Sequence, residues 1–282
     1  MPSLPPIRPE DEATAARIRP HGAFDAPADG AHDPVRVDYL MRLGDDALIL
    51  GQRLGEWCGH APSVEVDLSL ANLALDLIGQ ATILLGEAAG DGADDKGGAD
   101  RLAFHRDVLD FRNCLLVEQP NGDFARTMMR QLLFSTWQHL LLGRLTGSSD
   151  RTIAEFAAKA VKEVAYHREL AGEWIIRLGD GTDESTARTL DALAWCWRFV
   201  PELFEVDDQL AEAIARGIAA DPREFEAEYR GAIASILGEA QLPVPADQRA
   251  ILGGRRGHHS EHLGHLIAIM QFLPRTYPDA VW

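Results

Sequence analysis

Apolar side chains recur at alternating steps of three and four along most of the chain after residue 36, the spacing of one helix face. Over 38–58, Leu40, Leu43, Ala47, Leu50, Leu54 and Trp57 form such a seam, with Asp45, Gln52 and Glu56 beside it. Gly59-His60-Ala61-Pro62 ends that helix, because proline disfavours helical geometry in the residue before it. Val66, Leu70, Leu73, Leu77 and Leu84 make the seam of a second helix over 66–89. Gln80 interrupts it, and Asn72 and Asp76 share a neighbouring stripe. A Gly/Asp-rich loop over 91–100 leads to a third helical segment over 101–117, closed at Pro120-Asn121-Gly122. Asp123 is a good N-cap for a helix over 124–145. Its stripe of Phe124, Met128, Gln131, Ser135, Gln138 and Leu142 is polar in the middle and holds no acid.

The next helix, 153–178, carries Phe156, Ala160, Glu163, His167, Leu170 and Trp174 on one face, apolar except at its centre. Ser148-Ser149-Asp150 caps it and Gly179-Asp180-Gly181 closes it. Further helices are predicted over 183–200, 222–237 and 258–273, punctuated by Pro201, Pro243, Pro245 and Pro274. The four long helices each reach roughly 30 Å, and their connections are short. The expected fold is all-α, a ferritin-like four-helix bundle with additional C-terminal helices. Residues 1–35, with seven prolines and no periodicity, read as a disordered or extended leader before a single helical domain over 36–282.

A formal charge of −17 argues against nucleic acid or an anionic membrane as the main partner. It leaves room for a local basic patch that takes a phosphorylated ligand. No run of 18 apolar residues suggests a membrane span, and the N-terminus lacks the apolar core of a signal peptide, so a cytoplasmic protein is expected. Cys58, Cys114 and Cys196 are too far apart in sequence for a metal or redox motif and read as reduced packing residues.

The centre of the bundle is where ferritin-like proteins hold two metals, with a Glu from each of two helices and Glu-x-x-His from each of the others. No Glu-x-x-His occurs anywhere in this chain. Tyr166 stands three after Glu163, and His167 lies about 100° further round the helix. Gln131 and Gln138 are neutral and bind iron poorly. One reading makes Glu163 and His167 a hydrogen-bonded polar pair that sets helix register, with Tyr166, Gln80 or Gln138 as partners. The other makes them ligands of an irregular metal site. Asp76 and Asn72 divide in the same way. Near the C-terminus, His258, His262 and His265 fall at i, i+4 and i+7 beside Glu261, a metal-ligand spacing or simply a polar helix face. Arg255, Arg256 and Gly257 stand just before that helix, where a nucleotide phosphate or a partner's acid would fit. No nucleophile elbow, phosphate-cradling loop or dinucleotide fingerprint is present.

Six segments carry a family resemblance: LGDDALILGQRLGEWCGHAP (43–62), LANLALDLIGQA (70–81), FRNCLLVEQPNGDFA (111–125), KAVKEVAYH (159–167), RLGDGTD (177–183) and GHHSEHLG (257–264). Together they are similar to the C-type, structural subunit of bacterial phenylacetyl-CoA epoxidases, multicomponent monooxygenases of aerobic phenylacetate breakdown. The resemblance implies a non-catalytic, structural chain paired with a homologous di-iron catalytic subunit. Further oxygenase subunits would join them, with a reductase carrying FAD and iron–sulfur and drawing electrons from NADPH. It implies no cofactor in this chain, with Asp76, Glu163 and His167 as vestigial core polar residues. It also implies that phenylacetyl-CoA lies mainly in the catalytic subunit, with its nucleotide end reaching the structural one. Phe111 and Asn113 match the family there, with Asp110 and Arg112 beside them. Packing of Phe111 and turn-capping by Asn113 is the competing reading. Two other functions stand as alternatives: a self-sufficient di-metal carboxylate oxygenase with irregular ligands, and a metal-storage or purely structural helical protein.

Overall fold

Four side-chain caps launch the four long helices, each accepting an N–H left orphaned in the first turn. Asp33 accepts from Val35 N and starts α1 (Pro34–Gly55), with proline in the first turn. Ser63 accepts from Val66 N at α2 (Val64–Ala89), and Gly90, at φ +77°, ends that helix in the left-handed region. Asp123 accepts from Arg126 N at α5 (Phe124–Leu145), and Asp150 from Ile153 N at α6 (Arg151–Gly179). The computed structural model describes residues 33–90, 96–246, 249–278 and 280. Most of the expected leader over 1–35 therefore lies outside the described residues, as does 91–95 of the expected loop.

α1 and α2 pair as one hairpin, α5 and α6 as another. A Cβ on Gly44 would come within 2.8 Å of Leu85, so only glycine lets α1 approach α2 that closely. In the second hairpin, Phe124 meets Trp174 edge-on at 5.0 Å and Trp57, in the turn after α1, at 5.8 Å. Leu50, Leu73, Leu77, Met128, Leu132, Val164 and Ile175 are wholly buried between the helices. α7 (Asp183–Trp197) crosses the second hairpin, followed by α8 (Asp208–Ala215), α9 (Glu226–Glu239), α10 (Glu261–Met270) and α11 (Phe272–Thr276). No strand occurs among the described residues, and the architecture is the all-α, ferritin-like one.

The segment over 101–117 departs from expectation. α3 (Lys96–Phe104) ends early, a single 3₁₀ turn spans Val108–Asp110, residues 111–114 are extended, and α4 (Leu115–Glu118) is one turn long. The cause lies in distant carboxylates. Arg112 N donates to Asp45, Cys114 N to Asp46 and Leu115 N to Glu202, so this strap satisfies its backbone without a helix. The predicted helix over 258–273 starts only at Glu261 and breaks at Gln271. The short α8 has no counterpart in the periodicity. Cys58 is exposed, unlike the buried Cys114 and Cys196.

α2 is the one described helix long and apolar enough, with an 18-residue window of mean hydropathy 1.6, to cross a membrane by length and composition. Only 44% of that window is buried, because α1 covers one side of it. The other side shows Leu68, Leu75 and Ile83 to solvent, Leu75 at 69% exposure. A groove of about 240 Å³ runs between α2 and α6, with Leu75, Gly79 and Ile83 on one wall and Phe156, Lys159 and Glu163 on the other.

Candidate functional site

Two polar constellations stand out, one at the floor of the α2–α6 groove and one around the strap. At the groove, Gln80 Nε2 donates to Glu163 at 3.0 Å, and Gln138 Nε2 donates to the Gln80 carbonyl oxygen at 3.1 Å. His167 is fully buried and its Nε2 lies 3.1 Å from Asp76 Oδ2. Burial holds its pKa below the ordinary value, with Asp76 offsetting part of the effect. Glu163 and His167 thus have separate partners rather than forming a pair, Tyr166 points outward, and Asn72 is exposed and leaves Asp76 to His167. Glu163 keeps about a quarter of its side chain in solvent, with Lys159 4.0 Å away. Deeper in, both amide atoms of Gln131 are buried without partners.

The chemistry of this row is that of amide chains and one imidazole–carboxylate contact. The facing helix α5 supplies only neutral groups, and no three His, Cys, Asp or Glu side chains among the described residues converge as a metal site would require. The donor set does not fit a pair of bridged irons.

The strap is held by buried charge. Arg106 clamps both oxygens of Asp45 and lies 4.2 Å over the Phe111 ring. Arg255 is 2.8 Å from Asp46 and donates to the carbonyls of Arg42 and Arg112. Burial alone would lower the Arg255 pKa, but the surrounding groups, Asp46 foremost and Glu202 among them, together reverse this and hold the guanidinium above its usual range. Glu202 accepts from Leu115 N, Gly253 N and Gly254 N, which ties the strap to the segment before α10. Glu118 accepts from Asn113 Nδ2, His259 Nδ1 and Ser260 N.

These contacts correct the expected anion site at residues 255–257. The N-terminus of α10 already has a carboxylate, Glu118, 2.7 Å from Ser260 N. Arg255 is spent on Asp46, and Arg256 pairs with Glu205. Phe111 and Asn113 are fully enclosed by this chain, so their side chains hold the strap in place. Asp110 and Arg112 stay partly exposed, with Arg112 donating to the carbonyls of Leu109 and Phe111. The histidine triplet also separates: His258 precedes α10 while His262 and His265 lie on it. The histidine that matters to the structure is His259, which bridges Glu118 and the Phe111 carbonyl. Sequence periodicity passes over it because it sits in a loop. Its only sequence signal is its place inside GHHSEHLG.

Fold and site together define a ferritin-like helical protein whose central row is closed by amides and whose longest apolar helix is half uncovered. The sequence model of the family described as phenylacetic acid catabolic protein matches residues 25–282, and the chain belongs to that family. It is 46% identical over 247 residues to the C-type subunit of 1,2-phenylacetyl-CoA epoxidase from Escherichia coli (strain K12), a match that covers 86% of this chain and 98% of that relative.

Proposed function

We propose that this chain is the non-catalytic, structural subunit of a 1,2-phenylacetyl-CoA epoxidase: the E. coli relative's name supports its place in such an enzyme, and the donor-poor central row supports the non-catalytic role. Its partner is a homologous di-iron subunit. A reductase with FAD and iron–sulfur supplies that partner with electrons from NADPH, in the cytoplasm. The observation that carries this reading is the exposed face of α2. Leu68, Leu75, Gly79 and Ile83 lie along it, with the exposed Asn72 between the first two, and the acid among them, Asp76, is engaged by His167. A largely apolar helix face left open to solvent suits a protein-docking surface. An apolar helix of the di-iron subunit laid along the α2–α6 groove would hold that subunit's metal-bearing helices in one geometry. The nucleotide end of phenylacetyl-CoA would come near the partly exposed Asp110 and Arg112.

Size-exclusion chromatography with metal quantification, with and without the catalytic subunit, tests this. Expected are a stable complex at micromolar concentration, its loss on Leu75→Arg, and iron that follows the partner. About two irons per chain in this protein alone, lost on Glu163→Ala, would instead make it a self-sufficient di-metal oxygenase.

A further inference from the structure

Acids outnumber bases in this chain by 44 to 27, and most arginines have a carboxylate partner. Arg36, Arg42, Arg106, Arg144, Arg216 and Arg256 are all matched in this way. Arg112 and Arg130 depart from the pattern singly, donating to carbonyl and amide oxygens of this chain, whereas one neighbourhood gathers several such guanidiniums. Arg126 and Arg198 both stack on the indole of Trp195, with guanidinium carbons 4.7 and 5.1 Å from the ring centroid. Ile251 N donates to the Arg198 carbonyl at 3.1 Å, which lays residues 249–252 beside the end of α7. There Arg198, Arg249, Ile251 and Leu252 line an open cavity of about 580 Å³.

None of these three guanidiniums has a carboxylate within 4.0 Å among the described residues. Asp123, one turn before Arg126, is taken by the Arg126 N–H and by Arg188 at 3.6 Å. The carbonyl end of α7 offsets part of the Arg198 charge, yet Arg198 Nε is buried with no acceptor. Gathering like charges costs energy, and the indole faces recover only part of it. An anion with several oxygens recovers the rest, because the guanidinium fork matches phosphate bidentately. The remaining wall, Ile251 and Leu252, is apolar and about 40% exposed, which suits a ligand with an organic portion.

We propose that the Arg198–Arg249 cavity binds a phosphorylated small molecule. Arg198 and Arg249 hold the phosphoryl group, Arg126 strengthens the local field, and Ile251 and Leu252 cover the organic part. The cavity shares no residue with the α2–α6 groove, so the site stands whether or not the docking reading holds.

Titration calorimetry on the full chain at low salt, with phenyl phosphate, inorganic phosphate and a hexaglutamate peptide, tests the site. Saturable one-to-one binding is expected, severalfold tighter for phenyl phosphate than for inorganic phosphate. Arg249→Gln, on an exposed side chain that the fold does not need, should weaken it at least tenfold, and Arg198→Lys by less. Arg151→Gln, at the 89% exposed start of α6, should leave it unchanged. Three results would each overturn the site: no saturation at millimolar phosphate ligand, equal loss in Arg151→Gln, or binding of hexaglutamate with none of phenyl phosphate. The last would mark a protein-docking surface instead.

Discussion

Glu118 shows how single side chains shape this molecule. Wholly out of water, it accepts from Asn113, His259 and Ser260, and its backbone carbonyl accepts two bonds from Arg53. Glu118→Ala strands all three of the donors to its side chain, and we expect a loss of about 3 kcal/mol in urea unfolding. His167 gives a pH signature. Burial keeps its pKa below the ordinary 6.5, so an unfolded chain takes up a proton that the folded chain refuses. This contribution is intact above about 6.5 and is lost as pH falls through that value toward the lower folded one. His167→Gln should flatten the slope of stability against pH in that window. A residual slope should persist from His139, whose pKa is also lowered by burial. For Glu163, which holds Gln80 in the row, Glu163→Leu should weaken the assembled epoxidase complex and leave turnover per complex near normal. Lost turnover with unchanged assembly would contradict a purely structural role.

At the scale of elements, α5 is legible to the residue, because its seam is continuous and Asp123 marks its start. The strap is not. Phe111, Cys114, Leu115, Leu116 and Val117 are all buried, a run that resembles a core helix in one dimension. What keeps residues 111–114 extended, with only one helical turn after them, is Asp45, Asp46 and Glu202, between 67 and 87 residues away, and no local pattern encodes them. For the same reason Arg255 reads in one dimension as an open anion site, although Asp46 faces it in space. The central row is legible as an absence of ligand motifs, but its pairing is not. Asp76 with His167 and Gln80 with Glu163 depend on the stagger of α2 against α6. Gly254 is one tight spot where the segment before α10 clasps the strap: an added Cβ would lie 2.4 Å from the Asn113 carbonyl oxygen. Gly254→Ala should cost about 2–3 kcal/mol in thermal or urea unfolding. Gly79 is the opposite case, since a Cβ there meets nothing. Gly79→Ala should stabilise the isolated chain by about 1 kcal/mol and still impair partner binding if a helix lies close along α2.

For the whole molecule, the proposed docking face is apolar while the chain as a whole carries −17. Association through that face should therefore change little between low salt and 0.5 M salt, where the Debye length falls to a few ångströms. Dissociation on adding salt would place the contact elsewhere, among charged surfaces. The clasp around the strap has a further effect on how the protein is made. Asp46 and Glu118 belong to the first half of the chain, but Arg255 reaches the one and His259 and Ser260 the other from its last tenth. During synthesis Asp46 and Glu118 leave the ribosome before these late counterparts exist. The nascent bundle stays loose until the final helices emerge, and a messenger cut short before residue 250 would yield helices without a locked interior.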